Sequence, residues 1–350
     1  MNQSKRWPSR PTWGRFVVSL TLPPLLAILL LPGAALGQTR SMRPAAPGGA
    51  TLHEGVVISP QHGFAYLMRR GGIDAVDLAS GAVRWRSDKA AKPLALVGDR
   101  LIAQTGRGGN ALDLVDLDAR SGAARESVRI PLPDGVAATL VDTPAGSFRV
   151  RAEAAGSELV VRWEATGVAV AAQGYMPAAS EGLAPSLDGQ GTNVVAGEAV
   201  LDLASSSLAL KAGPEIRRTQ SASMARAALE ELSAPAVAGA EGRQMLSADG
   251  RHVLVTERVD VAEHPLQRHR WTLYERDSGT RLGSVPALVS ATPFLVVGTT
   301  LYHPAPAHAV RQNNRFVEQP AVLRAVNLKT GAEMWKASVL ETAFRGPFPP

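Results

Sequence analysis

Short apolar runs alternate with turn-forming residues along most of the chain. Examples are FAYLM at 64–68, ELVVRWEA at 158–165 and WTLYER at 271–276. Many of these runs have a two-residue period of apolar and polar positions, which is typical of half-buried β-strands. Because no helical pattern separates successive runs, the chain is predicted to be all-β: a sandwich, a barrel or a propeller.

One pattern occurs near both ends of the chain and selects among these folds. It reads IDAVDLASGAVRW at 73–85 and LRAVNLKTGAEMW at 323–335, an offset of 250 residues without a gap. Weaker copies of the pattern have their turn position at Gly122, Gly167, Ser206 and Gly279. The unit is about 40–50 residues long, the size of one four-stranded blade. The sequence therefore predicts a β-propeller of four-stranded antiparallel blades.

The predicted propeller covers residues 51–340 and has six blades, with seven as the alternative. The six blades are assigned to 51–88, 90–131, 135–173, 174–212, 243–285 and 287–340. The stretch 213–242 differs, because SASMARAALEELSA at 221–234 is rich in helix-favouring residues. We therefore predict a short helical or irregular insertion there.

The repeated residues have a structural explanation. The positions concerned are Asp77, Gly81, Trp85, Gly122, Gly279, Asn327, Gly331 and Trp335. The Asp or Asn side chain accepts backbone N–H bonds and starts a turn. The glycine supplies a positive φ, and the tryptophan offers a large flat face for packing between blades. If the ring closes, the first and last copies are expected to lie side by side.

The segments AVDLASGAVRW and AVNLKTGAEMW resemble the repeat of the pyrroloquinoline-quinone-like β-propellers, the superfamily of the quinoprotein alcohol dehydrogenases. The resemblance is strong at the two ends of the chain and weak in its middle. It implies the propeller fold, and it would imply a quinone and calcium for a dehydrogenase. No residue matches that cofactor site and cysteine is absent, so we expect no cofactor and no dehydrogenase activity.

The first 37 residues have the three parts of a secretory signal peptide. Four basic residues precede an apolar run at 16–31, and Ala35-Leu36-Gly37 supplies a small-x-small cleavage site. Residues 38–50 are predicted to be a flexible lead-in, and 341–350 a C-terminal tail. An uncleaved inner-membrane anchor is the alternative for the leader. The expected location is therefore periplasmic or extracellular.

Removal of the leader changes the charge of the protein. The whole chain has a net charge of +6. Without the four basic residues of the leader, 33 basic and 31 acidic side chains remain, a net charge of +2. A nearly neutral chain lacks the basic excess of a nucleic-acid-binding protein. The absence of cysteine also excludes disulfides and thiolate metal sites.

Two predicted loops are longer than their counterparts in other blades, at 260–269 and 303–320. Both join the second and third strands of a blade, so we expect them on one face of the propeller. Long loops on a rigid scaffold often bind ligands. The candidate binding residues are His264, Arg268, His269, Arg270, His303, His308, Arg311, Asn313, Asn314 and Arg315. The alternatives are two solvated loops without a ligand, and a metal bound by the histidines.

No catalytic signature is found, so no catalytic residue and no metal ligand are assigned. The predicted function is that of an exported, non-catalytic binding or scaffolding protein of the cell envelope. Its expected partner is another envelope protein or a small ligand on the face of the long loops. The alternatives are an enzyme that uses the propeller channel, such as a degenerate quinoprotein oxidoreductase, and a membrane-tethered sensor.

Overall fold

The computed structural model of the protein describes residues 49–105, 111–132, 147–166, 194–203, 208–218, 237, 242–259, 269–312 and 315–339. Every regular element in this part of the chain is a β-strand, so the predicted all-β class is confirmed. Among the same residues there is no helix long and apolar enough to cross a membrane. The predicted leader at 1–37 and the predicted tail at 341–350 lie outside the described residues.

The first half of the chain forms three antiparallel sheets. Sheet 1 contains β1 (Ala50–His53), β2 (Val56–Ser59), β3 (Phe64–Arg69), β4 (Gly72–Asp77) and β5 (Val83–Ser87). Sheet 2 contains β6 (Lys92–Val97), β7 (Arg100–Gln104), β8 (Ala111–Asp118) and β9 (Ala124–Pro131). Sheet 3 contains β10 (Ser147–Ala155), β11 (Glu158–Thr166), β12 (Val194–Asp202) and β13 (Ala209–Arg218). In each sheet the spatial order of the strands follows the sequence.

The second half forms two further sheets and a separate hairpin. Sheet 4 contains β14 (Arg243–Leu246), β15 (His252–Arg258), β16 (His269–Glu275) and β17 (Arg281–Ala287). Sheet 5 contains β18 (Leu295–Val297), β19 (Thr300–Ala305), β22 (Val322–Asn327) and β23 (Glu333–Ser338). Strands β20 (His308–Gln312) and β21 (Arg315–Gln319) pair only with each other among the described strands.

Sheet 3 differs from the sequence-based division into blades. The repeat spacing predicts two blades, at 135–173 and 174–212, but β11 and β12 pair along their whole lengths within one sheet. Residues 213–218 were predicted to begin the insertion and instead continue β13, up to the pair of Arg218 with Val195. Pro214 is tolerated there because β13 is an edge strand. The remainder of the predicted helical insertion lies outside the described residues, apart from Val237 and Gly242.

Four hydrophobic clusters join neighbouring sheets. They connect sheet 4 to sheet 5, sheet 5 to sheet 1, sheet 1 to sheet 2, and sheet 2 to sheet 3. Large side chains such as Trp271, Tyr66 and Trp163 are fully buried in these clusters. Each sheet therefore stabilises its neighbour by face-to-face burial of apolar side chains.

The repeated turn lies between the last two strands of a sheet. In sheet 1, Asp77 Oδ1 accepts the backbone N–H of Ala79 at 3.1 Å and of Ser80 at 2.9 Å. The Gly81 N–H donates to the Asp77 carbonyl at 2.8 Å, and Gly81 has φ +72°. The polar residue that begins the turn is thus explained by local hydrogen bonds, and the glycine is explained by its positive φ.

The contact between sheets 5 and 1 depends on a tryptophan that lies over a glycine. A Cβ atom on Gly81 would lie 2.6 Å from Trp335 Cγ. The Trp335 Nε1–H donates to the Leu78 carbonyl at 2.8 Å, and the Tyr302 hydroxyl donates to the same oxygen at 3.0 Å. The first and last copies of the repeat are therefore in direct contact across 250 residues of sequence.

Sheets 1 and 2 repeat this arrangement. A Cβ atom on Gly122 would lie 2.5 Å from the ring of Trp85. The Trp85 Nε1–H and the Tyr66 hydroxyl both donate to the Ala119 carbonyl, at 3.2 and 3.0 Å. We call a contact of this kind, between the last hairpin of one sheet and the next sheet, a seam.

Candidate functional site

In sheet 1 the connection between β1 and β2 and the connection between β3 and β4 lie at the same end of the strands, which we call the loop end. The connections between the second and third strands of sheets 4 and 5 emerge at the corresponding end of those sheets. In the four strands β2–β5 of sheet 1 the equivalent connection is Arg69 to Gly72, a tight turn. In sheet 5 it spans 306–321 and contains the β20–β21 hairpin. The structure therefore places an added element where the sequence predicts a long loop.

The β20–β21 hairpin has a regular register that starts with His308 opposite Gln319 and ends with Gln312 opposite Arg315. Val317 is 38% exposed, one of three large apolar side chains that are exposed among the described residues. Arg315 is also exposed, and His308 is half-buried with Nδ1 3.1 Å from the Pro306 carbonyl oxygen. The hairpin thus offers apolar and cationic groups to solvent.

The other candidate residues are distributed around the loop end. His269 and Arg270 begin β16, where His269 is half-buried and Arg270 Nη1 lies 3.9 Å from Glu257 Oε2. Arg311 lies in β20, opposite Phe316. The candidates outside the described residues are His264, Arg268, Asn313 and Asn314. The structure therefore places His308 and Arg315 at opposite ends of one hairpin and leaves His269 and Arg270 on another sheet.

His303 lies beneath this surface and is only 4% exposed. Its ring meets the ring of Trp271 edge to face, with centroids 5.0 Å apart. Burial, assisted by the nearby charge of Arg324, lowers the pKa of His303 from 6.5 to about 4. A neutral imidazole therefore packs between sheets 4 and 5, and His303 is part of the core there.

We predict that His303 makes the protein less stable in acid. The unfolded chain takes up this proton near pH 6.5 and the folded chain only near pH 4. The stabilisation is therefore complete above pH 6.5 and is lost as the pH falls towards 4, by about 3 kcal/mol. Urea unfolding followed by circular dichroism at pH 7, 5.5 and 4 measures this loss.

The matched variant for this prediction is His303→Phe, which keeps a flat ring against Trp271 but has no titrating group. Its free energy of unfolding should fall with pH by about 3 kcal/mol less than that of the wild type. Parallel pH profiles of the two proteins would contradict the prediction.

A buried lysine at the loop end was missed by the sequence analysis. Lys92 is 1% exposed, and its Nζ donates to Glu54 Oε2 at 3.0 Å and to the Val150 carbonyl at 3.5 Å. Burial lowers the pKa of Lys92, while Glu54 opposes this shift. The pair ties together sheets 1, 2 and 3. The only sequence signal is a lysine that opens the apolar run KPLALV.

A Ser–His–Asp group at the opposite end of the sheets was also missed. Ser59 Oγ lies 2.8 Å from His62 Nδ1, and His62 Nε2 lies 2.6 Å from Asp99 Oδ1. Ser59 is fully buried, and its Oγ also accepts the backbone N–H of His62 at 3.2 Å. A buried hydroxyl cannot reach a substrate, so these contacts stabilise a turn and join sheets 1 and 2.

Within the described residues, no group of three His, Asp or Glu side chains is arranged to hold a metal ion. His264, one of the histidines whose spacing suggested a metal site, lies outside those residues. His303 is buried in β19, whereas His308 is half-buried in β20.

Comparisons with known proteins give no family. No family model matches the chain and no curated protein matches it. A solved structure of a eukaryotic initiation factor has 9% identity and a TM-score of 0.30, and it covers 81% of this chain and 87% of its own. An uncharacterized protein from Listeria monocytogenes has 8% identity and a TM-score of 0.24, with coverages of 85% and 94%. At such TM-scores neither likeness bears on fold or function.

Proposed function

We propose that the chain is an exported β-propeller of the pyrroloquinoline-quinone-like type that acts as a non-catalytic binding protein of the cell envelope. Successive antiparallel sheets with the same strand order support the propeller. The contact of Trp335 with Gly81 further supports it, because a ring must bring its first and last blades together. The predicted leader at 1–37 supports export.

The observation that carries the binding function is the separate β20–β21 hairpin. An isolated two-stranded hairpin is marginally stable in water. This one projects from a connection that is a tight turn in sheet 1, and it exposes Val317. Single exposed apolar side chains are common on protein surfaces, so the separate hairpin, rather than Val317 alone, supports a surface for a partner.

The backbone of the hairpin indicates how a partner would bind. Among the described strands, β20 and β21 pair only with each other, so each has an edge with backbone groups that do not pair with another strand. An exposed strand edge accepts an extended peptide as an added strand. The partner is therefore an extended protein segment, with an apolar side chain over Val317 and acidic groups near Arg315.

Site-specific photo-crosslinking in the envelope tests this function. A photoreactive amino acid at Val317 is expected to yield a defined adduct with a partner protein. The same amino acid at Val83, which is 46% exposed on the outer strand of sheet 1, is the matched control and should give none. Absence of an adduct at Val317, or the same adducts at both positions, contradicts the proposal.

A second variant separates binding from folding. Replacement of 307–320 by a two-residue turn like that of sheet 1 should leave the melting temperature nearly unchanged, because β20 and β21 form their own sheet. The variant should lose the partner that Val317 captures when both proteins are purified and mixed. A shortened protein that still binds this partner with wild-type affinity would exclude the hairpin as the binding element.

A further inference from the structure

The face of sheet 4 that points away from sheet 5 is covered by a residue from the connection that precedes the sheet. This face presents Leu246, Val253 and Val255, which are at most 4% exposed, and Tyr274 packs against them. Within the described residues, this fifth hydrophobic cluster contains Val237 and no strand of another sheet. The four other clusters each join two sheets. A single inserted side chain therefore covers this surface, and we call the contact the Val237 site.

The strand register places an amide side chain beside this apolar surface. Leu246 lies opposite Val253, and Gln244 lies opposite Val255. Because Gln244 is two residues before Leu246 in the same strand, both side chains point to the same face. Met245 between them points to the other face and belongs to the cluster shared with sheet 5. The Val237 site therefore combines one amide group with an apolar surface.

Gln244 binds both polar backbone groups of Val237. The Gln244 Oε1 atom accepts the Val237 N–H at 3.0 Å, and Nε2 donates to the Val237 carbonyl at 3.1 Å. Gln244 is 5% exposed and Val237 is 7% exposed, so water is largely excluded from these bonds. A buried amide needs such partners. The two bonds reach backbone atoms only, so they would hold any residue whose side chain the apolar surface accepts.

The apolar surface selects the residue that enters the site. Residues 233–244 read SAPAVAGAEGRQ, and Val237 is the sole large apolar residue among them. The chain bends at Val237, and its side chain is the one that the cluster contains. Main-chain hydrogen bonds combined with a pocket for one side chain are a recurring mode of peptide recognition. The Val237 site has both parts of this mode.

We propose that the Val237 site is a peptide-binding site that the chain occupies with its own residue. Its ligand is a short peptide with a central valine between small residues, and Val237 is a tethered copy of that ligand. A partner segment of the same chemistry competes with Val237 for Gln244 and for the apolar surface. The proposal does not rest on the proposed function, because the β20–β21 hairpin belongs to the connection of another sheet.

Titration calorimetry with the synthetic peptide SAPAVAGAE tests the proposal. Val237→Asp in the full chain removes the tethered ligand, because a carboxylate is costly in an apolar cluster, and this variant should bind the peptide. Since a tethered ligand acts at about millimolar effective concentration, a peptide that binds the variant with a Kd of about 100 µM should bind the wild type about tenfold more weakly. The peptide SAPADAGAE should bind neither protein. No binding of SAPAVAGAE to the variant, or equal binding to both proteins, overturns the proposal.

Gln244→Met shows where the peptide binds. In the Val237→Asp background it keeps the length of the side chain and removes two hydrogen bonds, so the peptide affinity should fall by at least about fivefold. Gln104→Met in the same background is the matched control, because Gln104 is a buried glutamine of sheet 2. This control should leave the affinity unchanged. Equal affinities of the two double variants overturn the assignment to the Val237 site.

Amide exchange in the wild type tests the same competition without a substitution. Nuclear magnetic resonance of the valine-labelled full chain follows the exchange of the Val237 N–H with deuterium. At about 1 mM peptide the free and the tethered ligand compete on nearly equal terms, so this exchange should become about fivefold faster. The N–H of Val161, in a central strand of sheet 3, is the control and should not change. Unchanged exchange at Val237 overturns the proposal.

Discussion

Replacement of Trp335 by alanine is expected to lower the free energy of unfolding by about 4 kcal/mol. Trp335 is only 9% exposed, its ring covers Gly81, and its N–H bonds to the Leu78 carbonyl at 2.8 Å. The substitution therefore leaves a cavity and removes a hydrogen bond at the seam that joins the two ends of the chain. Urea unfolding at pH 7, followed by circular dichroism, measures the loss.

Met334 provides the control for Trp335, because it is the preceding residue in β23 and is 47% exposed. Met334→Ala should change the free energy of unfolding by about 0.5 kcal/mol or less. A loss of about 1 kcal/mol or less in Trp335→Ala would show that the seam between sheets 5 and 1 contributes little to stability.

Replacement of Gly81 by alanine is expected to cost about 3 kcal/mol, the sum of two effects. The first is the positive φ of +72°, which costs a residue with a Cβ about 1 to 2 kcal/mol. The second is overpacking, because the new Cβ would lie 2.6 Å from Trp335 Cγ, and it costs about 1 to 3 kcal/mol. The same urea titration measures the total.

Gly279 separates these two effects. It has φ +65° at the same position of the turn in sheet 4, and a Cβ there would meet no atom within 4 Å. Gly279→Ala should therefore show the backbone cost alone, about 1 to 2 kcal/mol. The double variant Gly81→Ala/Trp335→Ala should be less destabilised than the sum of its single variants, since no ring remains to clash. Equal losses for the two glycine variants would contradict the packing argument.

The turns of the repeat were predictable because their causes are local. Asp77 accepts the backbone N–H groups two and three residues later, and Gly81 adopts a conformation that other residues resist. These interactions involve residues close in sequence, so the sequence pattern reports them directly. The alternation of apolar residues predicted the all-β class for the same reason.

The middle of the chain was predicted less well because turn spacing does not determine which strands pair. Val194–Asp202 pairs with Glu158–Thr166 and with Ala209–Arg218 in a single sheet. The predicted boundary between two blades, at 173 and 174, therefore falls within the connection of one sheet. Strand pairing is a contact between segments distant in sequence, and the weak copies of the repeat contain no information on it.

The candidate site was likewise predictable from the sequence only in part. The sequence indicated an unusual connection at 303–320, because its length and composition depart from the repeat. It did not show that 308–319 forms a hairpin of its own, nor that His303 is buried against Trp271 of another sheet. Burial of His303 depends on how sheets 4 and 5 pack, and this packing also lowers its pKa.

By itself the sequence determined the strands at the two ends of the chain, their turns and the approximate unit of repetition, because hydrogen bonds and residue periodicity act over a few positions. Only the tertiary structure decided what the repeated tryptophans touch, and that the Leu328 backbone packs against Gly283 where sheet 4 has no tryptophan. The physical reason is that a seam is formed by two sheets, so its filling depends on side chains that different parts of the chain supply.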